Sequence, residues 1–145
     1  MITYEIIKEC LEILDLKYYQ FDSGRIAVSY LDEDVFPYRV VTFITVIDDT
    51  MVSFSTQAID YHPKGDLLAM ANRHNCRTFW PSCYIDKDGI VTMFRFVHIN
   101  ADVSPAYILE DVVNLGIYQP VESFINFEST DEEFLARRNS GKFLS

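Results

Sequence analysis

Three side chains able to ligate a metal lie close together in the sequence: His74, Cys76 and Cys83. Zinc takes four ligands, commonly in paired spacings such as Cys-x-x-Cys. His-x-Cys, with six residues before the next Cys, supplies three at an unusual spacing, and His62 becomes a fourth only through the fold. The pattern reads instead as a core-facing His and two buried thiols. Cys83 and His98 fall on strands expected to pair, which raises nucleophilic catalysis. No third residue is placed to orient the His, and no Gly-rich turn offers an oxyanion hole. Asp86-Lys87-Asp88-Gly89 opens like a calcium loop, but Gly is fourth rather than sixth and the twelfth position is Val97 rather than Glu. A hairpin turn accounts for these residues. Asp32-Glu33-Asp34 reads as a solvated loop. There is no Gly-rich phosphate loop, Ser-centred elbow or paired-His helix motif. The expectation is no enzyme, with no catalytic residue, metal site or cofactor.

The elements that carry these residues follow from periodicity. Thr3 to Leu14 predicts a helix with Ile6, Ile7, Cys10, Leu11, Ile13 and Leu14 largely on one face and Thr3 as its cap. Tyr18, Tyr19 and Phe21 form a short extended piece. Arg25–Leu31 and Met51–Ile59 alternate as half-buried strands. Tyr38–Ile47 is apolar on both faces, which predicts a central strand covered on both sides. Pro37 is expected to keep its loop from pairing. Asp66 opens a short helix to Asn75, with Leu67, Leu68, Ala71 and His74 along one stripe. Phe79–Asp86 and Ile90–Ile99 flank Asp88-Gly89 as a hairpin. Ser104-Pro105 opens the last helix, and Gly116 and Pro120 predict a kink or a second short helix to Phe127. The fold class expected is α+β: a five-stranded, mainly antiparallel sheet with three helices in the order α-β-β-β-α-β-β-α. Residues 1–127 are expected to form one domain and 128–145 a polar, flexible tail.

Composition narrows the function classes. The chain has 145 residues, 49% hydrophobic and 23% charged, which fits one domain able to bury a core. A net charge of −10 disfavours nucleic acid and anionic membrane surfaces, and it suits solubility and basic partners. Three cysteines make no disulfide framework and fit a reducing, cytoplasmic setting. The amino-terminal segment has no basic, apolar signal pattern, and no apolar run approaches a membrane span.

The motifs "LLAMANRHN" and "CYIDKDGIVTMF", with a closing helix opened by Ser104, lie in a segment, Asp66 to Phe127, that resembles the YbjN family of bacterial proteins. That resemblance implies a fold similar to type III secretion chaperones. It also implies a small acidic protein, often dimeric, that holds or regulates other proteins.

With a two-residue turn at Asp88-Gly89, Phe79, Cys83, Ile85, Phe94 and Phe96 share the core face of the hairpin. Trp80, Tyr84, Met93 and Arg95 then share the other, a contact set of the composition that interfaces favour. A bulged Gly89 would slip this register by one. The expected function is a non-catalytic protein-binding module, secretion-chaperone-like or regulatory. It would act on a basic or partly unfolded protein partner and form a homodimer through Trp80, Tyr84, Met93 and Arg95. The alternative is a small-ligand binder or small enzyme with an aromatic pocket lined by Tyr18, Tyr38 and Phe54.

Overall fold

A computed structural model describes residues 1–100 and 102–140 of the chain. Helix α1 (Tyr4–Ile13) is capped by Thr3, whose Oγ1 accepts from the Ile6 backbone N–H. Strands β1 (Tyr18–Gln20), β2 (Ile26–Asp32), β3 (Phe36–Ile47) and β4 (Met51–Ala58) follow. Helix α2 (Leu67–Arg77) starts at the Asp66 cap, and β5 (Ser82–Ile85) and β6 (Val91–His98) form the hairpin. Three helical segments, Pro105–Tyr107, Ile108–Asn114 and Leu115–Asn126, run on without a break as α3, the middle one π-helical. Helix α4 (Asp131–Asn139) is capped by Thr130.

The strands form one antiparallel sheet in the order β1-β2-β3-β4-β6-β5. This corrects the expected five strands and three helices to six strands and four helices among the described residues. The added strand is the piece at Tyr18–Gln20. At three residues it is too short to display an alternation, and only its pairing with Ile26–Val28 makes it a strand. The added helix lies in the stretch read as a polar tail. It has no buried residue, so its sequence lacks an apolar stripe. Residues 141–145 of that stretch lie outside the described residues.

All cross-strand partners in register share a face. On one face Ile26, Val28, Val40, Ile44, Val52, Phe54, Met93 and Val97 are buried beneath the helices in two apolar clusters. Helix α3 lies across this face. Its stripe of Ile108, Val112, Val113, Gly116, Ile117, Pro120, Val121 and Phe124 is buried. Pro120 removes one helical hydrogen bond, a defect of about 3 kcal/mol, yet the helix continues through it instead of breaking there. Burying the apolar side chains around it, at about 1.5–3 kcal/mol each, outweighs that defect. Gly116 lets the helix backbone reach the sheet: a Cβ there would meet the Phe54 ring at 2.6 Å.

Among the described residues the other sheet face carries no helix. Val41, Phe43, Thr45 and Ile47 of β3 lie on it half-buried, so β3 is covered on one side, not both. Its apolar double face signalled an uncovered hydrophobic surface. Pro37 also lies inside β3, where the pairing with β2 shifts register between Tyr30 and Asp32.

Candidate functional site

The hairpin decides which side chains reach the uncovered face. Asp86 N–H donates to the Ile90 carbonyl at 3.0 Å and Gly89 N–H to the Asp86 carbonyl at 3.0 Å, closing a loop with Gly89 at φ +79°. Asp86 Oδ1 accepts from the N–H groups of Asp88 and Ile90, both at 2.9 Å. The Ile90 N–H first, then that of Asp88, holds the Asp86 carboxyl below its ordinary pKa. The calcium-loop look of these residues is thus turn chemistry. A third loop residue pairs Ser82 with Phe94 and Cys83 with Met93. The expected faces are therefore regrouped: Cys83, Ile85, Met93, Arg95 and Val97 face the helices, and Ser82, Tyr84, Phe94, Phe96 and His98 face outward. Gly89 alone is left-handed here, whereas a two-residue type I′ turn needs positive φ at Asp88 as well, so the turn is the bulged three-residue kind.

The four residues expected to make a contact patch consequently do not share one exposed face, although Trp80 and Arg95 remain in contact. Met93 is fully buried. Arg95 is buried, and its Nη2 donates to the Asp111 carbonyl of the π-helical turn at 3.0 Å. Its guanidinium lies 3.8 Å from the centre of the Trp80 ring, a cation–π stack in which Trp80 stays partly exposed. Burial lowers the Arg95 pKa. Tyr84, 46% exposed, stands on the uncovered face.

That face has a regular layout. One row across the sheet is Tyr19, Ala27, Phe43, Ser55, Phe94 and Ser82. Beside it, Ser53 of β4 lies between Thr45 and Phe96. The central strand thus lays small hydroxyls between the rings of Phe43 on one side and Phe94 and Phe96 on the other. Arg25 stacks over Phe21 and Phe43, 5.2 and 4.7 Å from their ring centres. Arg39 Nη1 donates to Ser29 Oγ at 2.8 Å. The outward positions of β3, β4 and β6 carry neither Asp nor Glu, although the chain holds 22 such residues. Sequence reading centred the contact on Trp80, Tyr84, Met93 and Arg95 instead, because it slipped β6 by one. The signal of this patch was the alternation of Ser53, Ser55 and Gln57 beside acid-free strands.

The other candidates are dispersed. Cys83 faces the helices and His98 faces outward, so the two do not meet. Burial pushes the Cys83 thiol up to about 12, leaving it protonated and a poor nucleophile. His74 is buried, its Nε2 2.8 Å from the Pro81 carbonyl, to which the N–H donates. Burial lowers its pKa, which favours the neutral ring. Cys76 is exposed, not buried as expected. Among the described residues no three His, Cys, Asp or Glu side chains are grouped to hold a metal. Tyr18 packs against the cluster containing Phe54, whereas Tyr38 stacks with Phe36 and Tyr61, so the expected aromatic pocket is not assembled.

The helical side carries several concavities. An apolar groove of about 390 Å³ runs between α1 and the start of α3, walled by Ile6, Cys10, Ile13, Ile108 and Leu109. A polar cleft of about 170 Å³ is lined by His74, Arg77, Gln119, Glu122 and Asn126. Burial raises the Glu122 pKa. Among the described residues no helix is long and apolar enough to cross a membrane. No family model, curated protein or solved structure matches the chain.

Proposed function

We propose that the chain is a non-catalytic protein-binding module, chaperone-like or regulatory, that assembles as a homodimer through its uncovered sheet face. The observation that carries this reading is the aromatic character of that face and the lack of Asp and Glu at its β3, β4 and β6 positions in a chain of net charge −10, with Asp86, bonded to Gln57, as the carboxylate at its edge. A large apolar surface without a cover favours association, because burying it removes apolar area from water. A second copy is the natural occupant. Two such faces meet on a twofold axis with no carboxylate on their three central strands, while the acidic residues of α1 stay outside the contact. The apolar groove between α1 and α3, rimmed by Glu9, is the surface left for a client segment that is apolar and basic. The resemblance to the YbjN family is in keeping with this reading.

Light scattering at micromolar concentration tests it. The expected mass is twice 16.9 kDa, and Phe43→Glu or Phe96→Glu lowers it to 16.9 kDa while circular dichroism stays unchanged. Like charges set face to face across the axis cost several kcal/mol, enough to separate the copies. A wild-type mass of 16.9 kDa that holds on concentrating the sample removes the dimer. A dimer that survives both substitutions removes this face from it.

A further inference from the structure

Helices α2 and α4 meet along two facing stripes on the helical side, away from the uncovered sheet face. On α2, Arg73, Cys76 and Arg77 follow the i, i+3, i+4 spacing; on α4, Asp131, Phe134, Leu135 and Arg138 continue it to i+7. The cleft between them has a volume of about 450 Å³ and is lined by these residues. That volume falls within the roughly 300–1,000 Å³ of small-molecule sites.

The charge of the cleft runs against that of the chain. Among the side chains lining this cleft, three guanidiniums face one carboxylate in a protein of net −10, while Arg73 and Arg77 also border neighbouring clefts that hold Asp66, Glu128 and Glu122. Asp131 is a poor counter-ion: its carboxylate is 73% exposed and lies 3.4 Å from Arg77 Nε. Arg77 is fixed by a hydrogen bond from Nη2 to the Ser129 carbonyl at 3.0 Å and by the Phe134 ring, 4.5 Å from its guanidinium carbon. Neither its Nε nor its Nη1 makes a hydrogen bond, though both are shut off from solvent. Buried guanidinium donors without an acceptor are costly, and a stronger acceptor than Asp131 would relieve them. Arg73 Nη1 donates to the same Ser129 carbonyl at 3.3 Å, and among the described residues neither Arg73 nor Arg138 forms an ion pair.

We propose that this cleft binds a small phosphate monoester. The phosphate takes hydrogen bonds from Arg73, Arg77 and Arg138 and displaces Asp131, which swings into the solvent it already faces. A dianion meets three guanidiniums where a single exposed carboxylate now stands. Planar guanidiniums suit phosphate oxygens better than ammonium groups do. The side chains of Phe134, Leu135 and Cys76 offer the organic part of the ester an apolar wall. This site stands apart from the dimer reading, since none of its residues lies on the sheet.

Isothermal titration of the full chain with glycerol 3-phosphate tests the proposal, with succinate as a dicarboxylate control at equal ionic strength. Saturable one-to-one binding is expected, weakened about tenfold by Arg73→Gln or Arg138→Gln, the loss of one charge-assisted hydrogen bond. Asp131→Asn is expected to tighten it by about threefold, because it removes the competing negative charge. These three positions are not core residues, so the variants remain folded, and a circular dichroism spectrum checks that. Absence of saturable binding at millimolar ligand overturns the site. Arginine variants that titrate like the wild type also overturn it. Equal binding of succinate overturns the phosphate assignment, and an Asp131→Asn affinity no tighter than wild type overturns the displacement of Asp131.

Discussion

The two faces of the sheet both carry aromatic rings, but one face holds them as core and the other holds them against solvent. Phe54 on β4 is fully buried beneath α3, whereas Phe96, on neighbouring β6, is 43% exposed. The strands alone do not make this difference, since β3 is apolar on both sides. Helix α3 makes it, because its small residue at Gly116 brings the backbone down onto the Phe54 ring. The outer rings lie among serines and threonines, with Arg25 stacked over Phe43, so a ring can remain at the surface of a monomer and still contribute to an interface.

The largest expected effect comes from truncating one ring on each face. Phe54→Ala should lower the unfolding free energy by about 3–5 kcal/mol, as for a large cavity in a close-packed core. Phe43→Ala, read in a monomeric background such as Phe96→Glu, should cost less than about 1 kcal/mol. Urea denaturation measures both, and equal losses would erase the distinction between the faces.

Gly116→Ala sharpens the comparison at the covered side. Alanine is the better helix former by about 1 kcal/mol, so an unhindered site would gain stability. At Gly116 the added methyl meets Phe54, and overpacking of this kind costs about 1–3 kcal/mol. A net loss on thermal unfolding is expected; a gain would mean that α3 does not press on the ring.

The smallest effect concerns the polar cleft beside α3, where burial raises the Glu122 pKa. A carboxyl whose folded pKa is raised favours the folded state at low pH, and that contribution is lost as pH rises through the folded value. Glu122→Gln should therefore stabilise the protein at pH 7, by under about 1 kcal/mol once solvent screening is allowed for. The gain should vanish as pH falls below about 4.3, where the side chain is protonated in both states. A gain independent of pH, measured by thermal unfolding from pH 4 to 8, would assign it to packing instead of charge.

The local chemistry of the chain was legible from its residues. Thr3, Asp66 and Ser104 cap the helices they were expected to cap, because a short polar side chain before an apolar stripe meets an orphan N–H wherever the helix ends up. The strands β2 and β4 follow from alternation, because period two is a property of the backbone, and β6 follows from the turn signal at Asp88-Gly89. Tertiary structure decided the rest. Tyr18–Gln20 became a strand only by pairing, and Asp131–Asn139 became a helix docked through Phe134 and Arg77 without an apolar stripe of its own. The turn at Asp86–Gly89 set the register, and one added loop residue moved Met93 and Arg95 inward and Phe94 and Phe96 outward. Cross-strand register depends on the geometry of a single turn, and the covering of a face depends on where a helix far along the chain comes to rest. The sequence determined what each segment could do; the packing of α3 and α4 decided which side chains the protein presents to a partner and which three arginines share a cleft.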